Sequence, residues 1–319
     1  MQPTGIHHVS ALSRDIRRNY AFYTQVMGMR LVKKTVNQDT PTMYHFFYAD
    51  GLASPGSDLT FFSLPRAAPE HKGKRSITRT TLRVANEASL AYWRERFGEH
   101  GVPHGDVREI GGRPNLTFED PDGLSAALVA DDGQGDAHPW ERSPVPAEHQ
   151  VLGLGPVTLT VPELAPTDGF LVGVLNLRRT HIYTDLQGAA VQVFEMGTRG
   201  APAEVHVAVR PDLPDARYGA GGVHHVALRV PDEVEYHAWT ARLQNSGLAF
   251  SGEIDRHYFR SLYVREPNGV LFELATDGPG FTTDEPLTTL GERLALPPFL
   301  EGQRARIEAK LAPLDTPPA

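Results

Sequence analysis

The 319-residue chain contains no cysteine. Without thiols it can form no disulfide, no cysteine-ligated zinc site and no cysteine nucleophile, so any metal chemistry must rely on histidine, aspartate and glutamate. Basic residues are also in the minority, since 31 lysines and arginines against 39 aspartates and glutamates give a formal net charge of −8. That balance argues against nucleic acid or an anionic membrane as the main partner.

Long apolar runs are missing as well. No segment approaches the roughly 18 consecutive apolar residues that a membrane-spanning helix needs. The N-terminus, MQPTGIHHVS, lacks the basic and apolar regions of a secretory signal, so we expect a cytoplasmic protein. A hydrophobic fraction of 40% and a charged fraction of 22% are typical of a globular chain, and the length allows two domains.

What the sequence does contain is a repeated phrase with paired histidines. GIHHVSAL begins at Gly5 and GVHHVALRV begins at Gly222. The second phrase aligns without gaps with GLGPVTLTV from Gly153, and TRTTLRVAN from Thr78 has the same alternation of apolar residues. Each start precedes a helix-like stretch and then strand-like runs. This repetition predicts four modules, each with one strand, one helix and three further strands.

The modules define the expected domain organisation. They fall at about 5–64, 76–131, 152–197 and 222–276. The predicted units are an N-terminal half at 1–135 with modules 1 and 2, a linker at 136–150, a C-terminal half at 151–280 with modules 3 and 4, and a tail at 281–319. The basic run RLVKKT at 30–35 is expected to form a solvated strand edge.

Strand geometry selects one histidine of each pair. Side chains alternate across a strand, so adjacent histidines cannot point the same way. In the second copy, aliphatic residues at alternate positions share a face with His224, which leaves His225 on the mixed face. The same reasoning selects His8 over His7 in the first copy.

Four modules in this order resemble the vicinal oxygen chelate superfamily, which includes glyoxalases and extradiol dioxygenases. The resemblance covers residues 5 to about 276 and rests on the doubled GxHHV and a terminal FEL. It implies an α+β fold of two cupped, mostly antiparallel sheet barrels, each made from two modules. In that superfamily the last strand of a module carries a further position for a metal ligand.

Aligning the last strands allows the module pairings to be compared. The last-strand positions read Phe62, Ala127, Glu195 and Glu273, and the first-strand positions read His8, Arg79, Pro156 and His225. Modules 1 and 2 together offer no ligand set, and pairing 3 with 4 leaves His8 unexplained. We therefore expect modules 1 and 4 to pair around a metal held by His8, His225 and Glu273, and modules 2 and 3 to pair without one.

Two imidazoles and one carboxylate leave coordination positions open, as in non-haem Fe(II) oxygenases. Within the superfamily the chain looks most like the ring-cleaving dioxygenases that act on para-hydroquinones, through MRLVKKTVNQD (29–39), DRHYFRSLYVREPNGVLFELAT (255–276) and GERLALPPFLE (291–301). That resemblance implies an Fe(II)-dependent, extradiol-type oxidoreductase that inserts O2 into a hydroquinone-type substrate, with Mn, Zn or Ni as alternative occupants in a purified sample. It also implies catalytic roles or ligand-supporting positions for His7, His224, Tyr263 and Arg256, and substrate contacts for Ser10 and Phe62.

Two other functions stay open at the level of the sequence. A redox-inert lyase, isomerase or thiol transferase of the glyoxalase type would need a second carboxylate in the site, and Phe62 argues against one. A non-catalytic small-molecule binder would not need a complete set of three ligands. The expected partners are a small aromatic substrate and O2, with a homo-oligomer as an open alternative.

Overall fold

The computed structural model describes residues 1–133, 136–197, 200–314 and 316. Within these residues sixteen strands form two eight-stranded sheets with helices packed against them, which confirms the predicted α+β fold. The predicted domain boundary at residue 135 and the end of the predicted tail at 317–319 lie outside the described residues. In the part of the chain that the structure describes, no helix is long and apolar enough to span a membrane.

Modules 1 and 2 each have one strand, one helix and three further strands. Module 1 consists of β1 (Ile6–Ser13), α1 (Ile16–Ala21), β2 (Arg30–Val36), β3 (Tyr44–Ala49) and β4 (Asp58–Ser63), with a π-helical turn after α1 at Phe22–Val26. Module 2 consists of β5 (Ser76–Val84), α2 (Glu87–Glu99), β6 (His104–Ile110), β7 (Arg113–Glu119) and β8 (Ser125–Ala130). Asp15 and Asn86 begin the two helices because their side chains accept hydrogen bonds from backbone N–H groups of the first turn.

Modules 3 and 4 repeat this order, and short helices follow in the tail. Module 3 consists of β9 (Gly153–Val161), α3 (Leu164–Asp168), β10 (Arg178–Thr184), β11 (Ala190–Glu195) and β12 (Glu204–Val209), with a π-helical turn at Gly169–Val174. Module 4 consists of β13 (Val223–Val230), α4 (Glu233–Ser246), β14 (Ile254–Asp255), β15 (Phe259–Arg265) and β16 (Leu271–Pro279). The remaining helices are α5 (Pro298–Glu301), α6 (Arg304–Glu308) and 3-10 turns at Ala147–His149, Ala201–Ala203, Phe281–Thr283 and Leu287–Thr289.

The third module ends later than predicted. The sequence comparison placed Glu195 on the last strand, but Glu195 ends β11, and the last strand is β12, which pairs in parallel with β9. Both strands alternate apolar residues, so alternation alone could not show which one lies beside β9. The residue opposite Thr158 of β9 is therefore His206.

Both sheets have the same strand arrangement. The order of the first sheet is β14-β15-β16-β13-β1-β4-β3-β2, and the order of the second is β10-β11-β12-β9-β5-β8-β7-β6. At the centre of each, the first strands of two modules run antiparallel, β1 beside β13 and β5 beside β9. The first sheet therefore joins strands from the two ends of the chain, and both sheets draw on both of its halves.

Amphipathic helices build the core on one face of each sheet. On α4, Tyr236, Trp239 and Leu243 are fully buried at helical spacing, and α4 packs on β13 and β16. Each such side chain stabilises the fold by about 1.5–3 kcal/mol. The opposite face of the sheet is left to line a cavity.

The tail packs along β2 and overturns one prediction. RLVKKT was expected to be solvated, but Lys33 is fully buried. Its Nζ atom lies 2.7 Å from a carboxylate oxygen of Asp284, pairs with Glu285, and donates to the carbonyl oxygen of Phe281 at 3.1 Å. A lysine tolerates this burial because two carboxylates from the tail compensate its charge.

Candidate metal centre

Three side chains from the two ends of the chain converge in the first sheet. The Nε2 atoms of His8 and His225 lie 3.1 Å apart, and the Oε2 atom of Glu273 lies 2.9 Å from His225 Nε2 and 3.2 Å from His8 Nε2. All three residues are buried. Buried lone pairs this close together repel one another unless a proton or a cation lies between them.

The geometry and chemistry of the group fit a divalent transition metal. Ligands about 2.1 Å from a metal lie about 3.0 Å apart at right angles and about 3.4 Å apart in a tetrahedron. The observed separations of 2.9 to 3.2 Å match the right-angled arrangement more closely. Among the residues that the structure describes, none donates a hydrogen bond to Glu273 Oε2, whereas the other carboxylate oxygen accepts from Ser261 Oγ at 2.5 Å. Two imidazoles and one carboxylate suit Fe, Mn, Zn or Ni.

The local electrostatics favour the protonation states that a metal needs. Burial would raise the pKa of Glu273, but the neighbouring His8 and His225 outweigh it and hold the pKa well below its ordinary value. Burial lowers the pKa of His225. The site therefore combines an ionised carboxylate with a neutral imidazole, the forms in which these side chains bind metals.

Each paired histidine fixes the ring of its neighbour. The Nδ1 atoms of His7 and His8 lie 2.9 Å apart, and those of His224 and His225 lie 2.7 Å apart. If Nε2 faces a metal, the ligand imidazole carries its proton on Nδ1 and donates it to the preceding histidine. Burial lowers the pKa of His7 to about 3 and that of His224 to about 4, so both are neutral and able to accept.

Strand register explains the convergence and corrects one predicted position. Ala227, two residues after His225, lies opposite Glu273 in the parallel pair of β13 and β16. In module 1 the residue two after His8 is Ser10, and it lies opposite Thr60.

Thr60, rather than Phe62, is therefore the counterpart of Glu273. The Thr60 hydroxyl lies 2.7 Å from Ser10 Oγ and 2.9 Å from His45 Nε2, so it is already engaged. Phe62 lies two residues further along β4, on the wall of the adjacent cavity.

A cavity of about 420 Å³ opens beside the three residues. Its volume lies within the usual range for small-molecule sites. Most of the predicted site residues line it, namely His8, Ser10, Phe62, His224, His225, Arg256 and Tyr263, together with His45, Phe47, Tyr218, Tyr258 and Phe259. His7 does not. It lies behind His8 and lines a separate cavity of about 100 Å³ beside Asp58.

Tyr263 and Arg256 lie next to each other on the cavity wall. The Arg256 guanidinium is 5.5 Å from the centre of the Tyr263 ring and is held by Asp39 at 2.9 Å. Burial and the Glu273 carboxylate raise the pKa of Tyr263, so its hydroxyl stays protonated. The wall thus presents one fixed cation and one protonated phenol.

Sequence reasoning missed Phe259 and Ser261. The Phe259 ring packs on His8 with centres 5.1 Å apart, and Ser261 donates to Glu273. Phe259 and Ser261 lie four and two residues before Tyr263 on β15 and therefore share its face of the sheet, so strand periodicity could have found them. The His45 ring also lines the cavity and lies between the rings of Phe47 and Phe62, with ring centres 4.0 and 4.1 Å away.

A sequence model of the Glyoxalase/Bleomycin resistance protein/Dioxygenase superfamily matches residues 5–128 and 153–274. The chain belongs to this superfamily, as the doubled histidine phrase and the four modules predicted. Glyoxalase I from Zea mays shares the fold, with a TM-score of 0.61 over 86% of this chain and 92% of that one, at 14% sequence identity.

More similar relatives narrow the comparison. The chain is 49% identical over 316 residues to the Bacillus subtilis (strain 168) protein named "Putative ring-cleaving dioxygenase MhqA", covering 98% of this chain and all of that protein. It is 31% identical to the chlorohydroquinone/hydroquinone 1,2-dioxygenase of Sphingobium indicum, and the match covers 93% of this chain and 92% of that protein. A crystal structure named "putative dioxygenase" from Bacillus subtilis superposes with a TM-score of 0.91 at 31% identity and 98% coverage of both chains.

Proposed function

We propose that the protein is a cytoplasmic, Fe(II)-dependent, extradiol-type dioxygenase that opens the ring of a hydroquinone-type substrate with O2. The observation that carries the proposal is the buried group of His8, His225 and Glu273, with separations of 2.9 to 3.2 Å, at the base of a cavity of about 420 Å³. The names of two relatives, a ring-cleaving dioxygenase and a hydroquinone dioxygenase, support the reaction class.

The three residues would hold the metal, and the cavity would hold the ring. Ferrous iron bound by His8, His225 and Glu273 would supply the redox chemistry that lets O2 react with an aromatic ring. The apolar walls, including Phe62 and Phe259, exclude water from the ring.

His224 is well placed to donate a hydrogen bond to the substrate. Its ring lines the cavity, and because its pKa is lowered to about 4, it is neutral at neutral pH. Since its Nδ1 atom accepts from His225 Nδ1, its proton lies on Nε2, which can donate to a substrate oxygen. His7 lies outside the cavity, so its role is to orient the His8 ring.

Arg256 and Tyr263 act on the substrate oxygens from the wall. The guanidinium, fixed by Asp39, stabilises negative charge that develops on an oxygen of the opening ring. The protonated Tyr263 hydroxyl donates a hydrogen bond or a proton to the same region. Ser10 contacts the substrate from the floor of the cavity.

A redox-inert glyoxalase-type reaction is less well supported. It would require a fourth protein ligand, and the position that matches Glu273 in module 1 is Thr60, whose hydroxyl is engaged by Ser10 and His45. The donor set therefore stays at three, which leaves room for substrate and O2 together.

The test is oxygen consumption by the reconstituted enzyme. Metal-free protein is loaded anaerobically with Fe(II), mixed with hydroquinone or chlorohydroquinone, and exposed to O2 in an electrode chamber. We expect one O2 consumed per substrate, with both atoms of ¹⁸O2 in the ring-opened product, and loss of uptake in His225→Ala.

The control and the contrary outcome separate the candidates. His206→Ala, a buried histidine of the second sheet, should retain uptake. If iron-loaded protein consumes no O2 with any hydroquinone, while Zn- or Ni-loaded protein converts a hemithioacetal, the dioxygenase proposal is wrong.

A further inference from the structure

The second sheet has a cavity of its own on the strands that match the metal centre. It measures about 260 Å³. Its polar lining includes Thr78, Arg79, Thr158, Thr160, Tyr183 and Arg210, and part of its wall is apolar. Neither the family match nor the proposed dioxygenase site assigns it a role.

The pairing of strands in the second sheet shows which residues occupy the positions that match the metal ligands of the first sheet. Arg79 lies opposite Thr158 in the pair of β5 and β9, just as His8 lies opposite Ala227 in the pair of β1 and β13. Pro156 takes the place of His225, and His206, opposite Thr158, takes that of Glu273. The second sheet therefore carries a guanidinium close to where the first sheet gathers its metal ligands.

The Arg79 charge has no partner among the described residues. Its Nε atom is buried without a hydrogen-bond acceptor, and no carboxylate in the described ranges forms an ion pair with it. Asp185 is an acid in the lining, but its Oδ1 accepts from the backbone N–H groups of Gln187 and Ala189. By contrast, Arg210 at the rim is paired with Asp212 at 2.7 Å.

A chain of hydrogen bonds connects Tyr183 of the cavity wall to Glu204 and Arg113 behind it. Arg113 donates to both oxygens of Glu204 at 2.8 and 2.6 Å, and Glu204 accepts from His206 Nε2 at 2.9 Å. His206 Nδ1 then accepts from the Tyr183 hydroxyl at 3.0 Å. Because Glu204 is paired with Arg113, it does not pair with Arg79, and Arg79 remains in the cavity wall without an ion-pair partner among the described residues.

We propose that the cavity of the second sheet binds a small organic carboxylate, with Arg79 as its counter-ion. A planar carboxylate matches the fork of a guanidinium, and one guanidinium without an ion-pair partner suits a monoanion better than a phosphate dianion. The apolar part of the wall accommodates a short carbon chain.

The experiment follows the Arg79 Nε–H signal of the full-length protein by ¹H–¹⁵N NMR during titration with propionate and, separately, with inorganic phosphate. We expect a saturable shift with propionate, weaker binding of phosphate, and at least about tenfold weaker propionate binding in Arg79→Met, since charged hydrogen bonds are lost. Arg79→Lys keeps the positive charge but lacks the forked guanidinium, so its affinity for propionate should lie between those of wild type and Arg79→Met.

Arg178→Met is the matched control, because Arg178 lies on β10 of the same sheet, outside the cavity lining, and is paired with Glu195 at 3.0 Å. It should bind propionate as wild type does. The proposal is overturned if propionate gives no saturable shift, if Arg79→Met binds it as well as wild type, if Arg178→Met loses as much affinity as Arg79→Met, or if phosphate binds more tightly than propionate.

Discussion

The two sheets share one topology but differ in what their concave faces carry. The first gathers two imidazoles and a carboxylate, whereas the second has Arg79, Pro156 and His206 at the matching positions. A few side chains on a repeated scaffold thus separate a candidate metal centre from a cationic cavity. The fold supplies the positions, and the residues at those positions supply the chemistry.

The two sheets also differ in whether another segment of the chain packs over their outer strand. The outer strand β2 of the first sheet is buried beneath the tail, while the matching strand β6 of the second is mostly exposed. Lys33, Asp284 and Glu285 hold the tail in place. The covered sheet can exclude water from its cavity, and the open sheet suits a ligand that exchanges freely.

Alanine substitutions at matched positions of the two sheets test whether only the first sheet binds a metal. Glu273→Ala should abolish stoichiometric metal binding and reduce dioxygenase activity by more than about 100-fold, beyond the effect of losing a group that only orients a ligand. His206→Ala alters the corresponding position of the second sheet and should leave metal affinity unchanged. Metal analysis after dialysis measures the binding, and O2 uptake measures the activity. Equal losses of metal and activity in the two variants would contradict the assignment.

Replacing the buried Lys33 tests whether its ion pairs hold the C-terminal tail over the first sheet. Lys33→Met should lower the free energy of unfolding by about 3–5 kcal/mol, because it leaves Glu285 buried without its main partner. Chemical denaturation measures the change. Lys72→Met, which breaks an exposed pair with Glu119, should cost less than about 1 kcal/mol. A similar small loss at Lys33 would show that the tail is not held by this contact.

Removing the buried ion pair of the second sheet should lower the free energy of unfolding. Glu204→Gln is expected to cost about 2–3 kcal/mol at pH 7, since hydrogen bonds to a charged group are lost. Burial would raise the pKa of Glu204, but hydrogen bonds from His206 and Arg113 lower it to about 2.

This depressed pKa fixes the sign of the pH dependence. The stabilisation is complete above the ordinary carboxyl pKa of 4.5 and is lost as pH falls through about 2. The difference in unfolding free energy between wild type and Glu204→Gln should therefore shrink over that range. A difference independent of pH would contradict the assignment, and unchanged metal affinity is the control.

The smallest expected effect concerns a supporting histidine of the first sheet. His224→Phe removes the group that accepts from His225 Nδ1, so metal affinity should fall about 10- to 100-fold. Competition with a chelator of known affinity measures this change. His237→Phe, at an exposed position of α4, should bind metal as wild type does. An unaltered affinity in His224→Phe would show that the bond between the paired rings does not orient the ligand.

Sequence reasoning predicted the fold where a pattern recurs. The doubled histidine phrase and strand alternation were enough to predict the modules, because strand periodicity is local, and they nominated His8 and His225, whose side chains the structure brings together with Glu273. It failed where register or distant packing decides. Thr60 and His206 are identified only by the parallel partner strand, and Lys33 is buried only because a segment about 250 residues later covers it.

The most direct test is an anomalous difference map at the iron edge from crystals of the Fe(II)-loaded protein. We predict one peak in the first sheet, about 2.0–2.2 Å from the Nε2 atoms of His8 and His225 and from Glu273. We predict none beside Arg79 in the second sheet. A peak at Glu204 and His206, or none within coordination distance of His225, would contradict the account.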